Sequence, residues 1–244
     1  MSPTWQLVKA ESVLTLRDKT GPLWGVGFPL LLLIILGSVP VLNEPTSAGP
    51  TTFELYVPVL ILFNLAILGL SAMPTMLVGY RENGVLRRMQ TTPVNPARVL
   101  GAQVAVNTAI AIAALVVFLA TAKLGFGVRL PQNPAGFIVG WLLATAALVS
   151  IGLLITALAP GRGPATAIGT VLFFPMMFFA GLWVQYHEMP PLLQDISGYT
   201  PLGAGAIALQ AASLGDFPGV QPLLVLAAYT VVCTAAAIRW FRWQ

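Results

Sequence analysis

The chain has 244 residues, of which 57% are hydrophobic and only 8% charged, and its formal net charge is +4. Soluble domains are about a quarter charged, so an ordinary water-dispersed globule is excluded and the class is an all-α integral membrane protein. Its one cysteine, Cys233, excludes an internal disulfide or a cysteine-based metal cluster. The absence of a G-x-x-x-x-G-K-[ST] run excludes a P-loop for nucleotide phosphates.

Residues 1–20 are mixed and charged, with no small-residue cleavage site after the first apolar run, so no removable signal peptide is expected. Trp5, Val8, Val13 and Leu16 share roughly one helical side, which Lys9 interrupts, so a short helix at the membrane surface is expected. Beyond it, six windows lack Asp, Glu, Lys and Arg: 20–43, 55–80, 99–122, 130–161, 163–187 and 217–238. A spanning helix needs about 20 apolar residues to cross a core roughly 30 Å thick. A charge at its centre costs on the order of 3 kcal/mol. The windows therefore predict six spans, at 22–42, 56–79, 98–122, 135–159, 164–184 and 220–240, with Pro29 kinking the first.

The connections differ in character. Residues 43–54 form a Pro/Gly/Thr loop with two carboxylates and no cation. APGRGP, residues 159–164, is a tight turn. Residues 185–219 are the longest connection and contain a seventh charge-free stretch, 196–215. That stretch is rich in Gly, Ser and Thr and holds Pro201, so it suits an interfacial or re-entrant segment better than a lipid-facing span.

Basic residues orient the chain. With a cytoplasmic N-terminus, the inside carries Lys9, Arg17, Lys19, Arg81, Arg87, Arg88, Arg98, Arg162, Arg239 and Arg242, and the outside only Lys123 and Arg129. That bias matches the positive-inside rule, and Arg239, Trp240, Arg242 and Trp243 form an anchor at the inner interface. No basic face is interleaved with aromatics, so nucleic acid is not an expected partner.

Four of the cations crowd into YRENGVLRRMQTTPVNPARVLG, residues 80–101. Val85, Leu86 and Met89 share one helical face, with Arg81, Arg87, Arg88 and Gln90 mostly elsewhere. Pro93 stops this short amphipathic helix. Asn95 can cap the next helix, with Pro96 at its first position. One reading makes the arginines topology anchors that bind anionic headgroups. The other makes the segment a docking foot for a cytoplasmic partner, its proline-flanked joints suited to transmitting force.

The segment resembles the one that follows the second span in membrane subunits of type-2 ABC exporters, which often read Glu-x-Gly-x-Leu-x-x-Leu-x-x-Thr-Pro. Glu82, Gly84, Leu86, Thr92 and Pro93 carry the pattern, with Met89 where Leu is common. Tyr80-Arg81 stand where acidic residues are also common in that family. A second match lies at MPPLLQDISGYTPLGAGAIALQA, where Pro190, Pro191, Thr200, Pro201 and Leu202 resemble the external segment of the same subunits. The resemblance spans essentially the whole chain and is closest to the daunorubicin/multidrug-resistance-type permeases.

The resemblance implies a membrane subunit in the cell membrane, with both termini cytoplasmic, paired with a second membrane subunit as a homodimer. A separate ABC ATPase would bind ATP and Mg, and this chain would hold no cofactor. Residues 1–20 would be an elbow helix. Arg81, Glu82, Gly84, Leu86, Arg87, Arg88, Thr92 and Pro93 would couple to the ATPase, and Pro190, Pro191, Thr200 and Pro201 would belong to short helices capping the pathway.

Several other residues admit two readings. Asn64 and Asn107, with Gln103, either bond across helices or line a pathway. Phe174, Met177 and Phe178, in VLFFPMMFF, suit either packing or an adaptable lipophilic site. Glu54 either lies among headgroups or binds a cation. His187, beside Glu188, lacks companions for a metal site and is expected to hydrogen-bond at the interface. Gly136-x-x-x-Gly140 permits close helix approach.

The cargo expected of such a permease is a lipophilic drug, antibiotic or lipid, moved outward, with a lipid-linked polysaccharide as the alternative. An integral-membrane lipid-modifying enzyme would need clustered acids or metal ligands at one face. The acids here are few and scattered: Glu11, Asp18 and Glu82 inside, and Glu44, Glu54, Glu188, Asp195 and Asp216 outside. An ion-coupled carrier would place charged groups within the spans, and the six windows hold no Asp, Glu, Lys or Arg.

Overall fold

The computed structural model describes residues 23–45, 49–84 and 96–240. Its elements are a π-helical turn, Leu23–Gly27, running into α1 (Phe28–Gly37), then α2 (Thr52–Ala66), a π-helical stretch Ile67–Ala72, and α3 (Met73–Glu82). There follow α4 (Pro96–Phe126), α5 (Pro134–Leu158), α6 (Arg162–Phe179), α7 (Pro191–Tyr199), α8 (Pro201–Leu214) and α9 (Val220–Trp240). The described residues form no named strand, and the all-helical membrane-type architecture is as expected. The expected elbow, residues 1–20, and residues 85–95 of the arginine-rich segment lie outside the described residues.

Four helical runs are long and apolar enough to cross a membrane: Thr52–Glu82, Gly101–Phe126, Pro134–Leu158 and Val220–Trp240. Gly25–Gly37 and Pro201–Leu214 are shorter apolar helices, and α6 has 18 residues. The first helix ends at Gly37, not at 42. Ser38 folds its hydroxyl back onto the Ile34 carbonyl (2.7 Å), and Pro40 then opens a 3-10 turn, Pro40–Asn43, that carries the chain away. The next run extends beyond the expected 56–79 at both ends, because Thr51 and Glu54 form a capping box at its start and α3 continues to Glu82.

Prolines shape the centre, because each removes a donor from a carbonyl one turn back. Pro29 cannot serve Gly25, and the Asn64 side chain from α2 donates to that carbonyl instead. Pro74 follows the π-helical stretch, where the Met73 N–H donates to Leu68. The wider turns leave the Gly69 and Leu70 carbonyls facing neighbouring helices. A Cβ on Gly152 of α5 would lie 2.1 Å from the Gly69 oxygen, and one on Gly169 of α6 would lie 2.1 Å from the Leu70 oxygen. Only glycine permits these approaches, so α5 and α6 are locked backbone to backbone against the central run.

Around this centre, α1 packs on α2, α3 on α6, and α9 along α5. Helix α8 is sunk among α2, α5 and α9, with Leu202, Ala204, Ala206, Ala208, Leu209 and Ala212 all buried. Its small residues let it enter the protein, which is why it makes a poor lipid-facing helix. Gly136 and Gly140 serve this same end: Gly140 abuts Ala208 and Gly136 abuts Pro218.

Candidate functional site: the Arg81–Glu82 junction and the α7–α8 cap

The run Arg81-Glu82-Asn83-Gly84 closes the central helix, and three of its residues have separate structural work. Gly84 adopts φ +66°, its N–H bonds the Arg81 carbonyl (3.1 Å), and the chain turns out of α3. The Arg81 guanidinium donates to the carbonyls of Ala159 and Thr156, the latter at 3.4 Å. These belong to the last turn of α5, where carbonyls lack helical partners and the helix dipole is negative. Glu82 does the converse. Its Oε1 accepts from the backbone N–H of Arg162 (2.9 Å), the first residue of α6, and its Oε2 lies 3.5 Å from Arg162 Nε. Helix α6 begins at Gly161 with no side-chain cap of its own, so Glu82 caps it from another helix, at the positive end of its dipole.

Two adjacent residues of opposite charge thus hold the two ends of one turn, APGRGP, to the end of the central helix. Glycine makes room on both sides. A Cβ on Gly161 would sit 2.7 Å from Glu82 Oε1, and the Arg162 guanidinium lies across Gly79, where a Cβ would overlap it. Thr75 of α3 and Thr166 of α6 add a hydroxyl contact of 3.3 Å one turn deeper. Sequence reasoning placed Arg81, Glu82 and Gly84 in a coupling segment but did not connect them to Gly79, Gly161 or Arg162. The Gly-Arg-Gly within APGRGP was the available signal. Leu86, Arg87, Arg88, Thr92 and Pro93 lie outside the described residues.

The residues considered for a pathway are dispersed. Asn64 is buried and bonded to the first helix. Asn107 donates to the Gln103 carbonyl (2.9 Å) and borders a void of about 10 Å³ beside Gly69 and Met73, room for about one water. Met177 is fully buried, whereas Phe174 is 55% exposed and stacks on Trp183 at 6.2 Å. Phe178 packs edge-on against Phe179 at 5.4 Å. Of the five, Asn107 alone borders that void.

At the opposite end, Pro190 and Pro191 start α7, and Thr200 and Pro201 start α8. The Thr200 hydroxyl accepts from Gly203 N–H (3.1 Å) and donates to the Ser197 carbonyl (2.9 Å), so one side chain ends α7 and begins α8. Ser197, fully buried, donates to the Phe179 carbonyl (2.6 Å) and ties this pair of helices to the end of α6. His187 packs against Tyr186, and no group of three or more His, Cys, Asp or Glu comes together among the described residues.

The profile of the ABC-2 type transporter family matches residues 3–214, most of the chain. The chain belongs to that family. Among curated proteins, no significant match is found. Membership makes it a membrane-embedded permease subunit of an ABC transporter. It also implies association with a separate ABC ATPase subunit.

Proposed function

We propose that the chain is the membrane subunit of an ATP-driven exporter, crossing the cell membrane six times with both termini in the cytoplasm. Two copies work as a homodimer, each on an ATPase subunit that binds ATP and Mg. The cargo is a lipophilic drug, antibiotic or lipid, released on the outer side beyond α7 and α8. Residues 85–95 are the foot that enters the ATPase.

The observation that supports this reading is the double attachment of Arg81 and Glu82 to the turn between α5 and α6. A force applied at residues 85–95 enters the central helix at its last turn. From there it reaches the C-terminal end of α5 and the N-terminal end of α6 through those bonds. A topology anchor needs only positive charge in that place. It has no need of a glutamate joined to a neighbouring helix start.

The test is co-purification from the native membrane under gentle detergent, with wild-type chain and with Arg87→Glu and Arg88→Glu together. A nucleotide-binding chain that accompanies the wild type and is lost in the double variant is the expected result. A wild-type chain that emerges alone from several detergents overturns the proposal.

A further inference from the structure

The end of the bundle opposite the Arg81–Glu82 junction is open where the junction is closed. A cleft of about 450 Å³ lies between the start of α2, the loop after α4 and the end of α8. That volume is in the range of small-molecule sites, roughly 300–1,000 Å³. Its wall carries one carboxylate, Glu54, and one guanidinium, Arg129, with the amides of Gln132 and Gln210 and the apolar surfaces of Leu119 and Phe137. The only ion pair among the described residues is Glu82–Arg162, so the two charges lining the cleft are not paired with each other. Glu54 is fixed in place, its Oε2 accepting from Thr51 N–H at 3.0 Å. Gln210 is fixed too, its Nε2 donating to the Leu55 carbonyl at 3.0 Å. A second cavity of about 210 Å³ reaches Glu54 from the side of Asn43 and Phe126.

We infer that this cleft binds a zwitterionic ammonium–phosphate headgroup, the ammonium toward Glu54 and the phosphate toward Arg129. A simple anion meets the Glu54 carboxylate and a simple cation meets the Arg129 guanidinium, so each is disfavoured by the group of its own sign. A ligand bearing both charges satisfies both walls, and an Arg–phosphate contact is among the stronger charge-assisted hydrogen bonds. Depth agrees with the chemistry. Glu54 lies in the first turn of a spanning helix and Arg129 just beyond the end of another, where helices leave the hydrocarbon for the headgroup layer. The apolar part of the wall would meet the first methylenes of the acyl chains.

The measurement is native mass spectrometry of purified full-length chain offered phosphatidylethanolamine and phosphatidylglycerol in equal amounts. Retention of phosphatidylethanolamine by about tenfold over phosphatidylglycerol is expected, with a several-fold loss in Glu54→Gln and in Arg129→Gln. Glutamine at position 54 keeps the capping box, since Gln serves there as Glu does. Circular dichroism and a single gel-filtration peak establish that both variants are folded. Equal retention of the two lipids, or wild-type retention in both variants, overturns the inference. Soluble phosphoethanolamine as competitor separates the sources. Displacement of the lipid at millimolar concentration means that the headgroup alone is recognised; failure to displace it assigns recognition to the intact lipid. The assay contains no ATPase, so its outcome is independent of the exporter proposal.

Discussion

The two ends of the bundle use charge in opposite ways. At one end, Arg81 and Glu82 are spent on backbone groups, the last carbonyls of α5 and the first N–H of α6. At the opposite end, Glu54 bonds within its own helix start, and Arg129 lies on the rim of an open cleft. The difference teaches what each end can do. Charges joined to helix termini make adjacent helices move as one body, as a coupling region needs. Charges left facing a cavity are available to a ligand. The glycine contacts at Gly69, Gly152 and Gly169 lie between, and refer each end to the other.

The largest effect is expected where those ends are joined. Gly152→Leu drives a side chain into the Gly69 carbonyl, and overpacking of this kind costs about 1–3 kcal/mol or more. The thermal midpoint of the detergent-purified chain should fall by several degrees, and the two ends should loosen together by hydrogen exchange. Loosening at one end only would break the comparison. Next, Arg81→Ala removes the donor to the α5 terminus and leaves its carbonyls to water, at a cost on the order of 1–3 kcal/mol. Exchange protection should drop at residues 155–162 while α8 keeps its own.

The extent to which this was legible in the sequence follows the same division. The apolar windows are imposed by the bilayer, so the four long helical runs could be placed from charge alone. Glycine, serine and threonine marked α8 as a helix that prefers protein to lipid. The RENG run was conspicuous, but its contacts are 75 to 80 residues away in sequence, as Arg81 to Thr156 and Glu82 to Arg162 show. Nothing in local pattern announces such a pairing. The π-helical stretch was equally hidden, because the Met73 N–H reaching Leu68 and the N–H missing at Pro74 free the Gly69 and Leu70 carbonyls, which matter only once they are seen against Gly152 and Gly169. Ser197, one small polar residue among many, was missed for the same reason.

A smaller effect is expected where α7 meets α8. Thr200→Ala removes the N-cap of α8, worth about 1 kcal/mol, whereas Thr200→Ser should retain most of it. The check is the thermal midpoint of each variant, with the exchange of the Arg81–Glu82 junction unchanged in both.

The smallest effect in stability is the most informative for function. Glu82 and Arg162 are 42% and 49% exposed, so their side-chain ion pair should contribute only about 0.2–1 kcal/mol. A double-mutant cycle of Glu82→Gln with Arg162→Gln should return a coupling energy in that range. Glutamine at 82 still offers an oxygen to the Arg162 N–H, so the helix cap survives while the charge is lost. Glu82→Ala removes both. If the cap is what joins the foot to α6, export by the assembled transporter should persist in Glu82→Gln and collapse in Glu82→Ala, with ATPase binding and membrane insertion retained in each. Equal collapse in the two variants would assign the role to the charge, and equal persistence would make the Arg81–Glu82 junction no more than a stabilising contact.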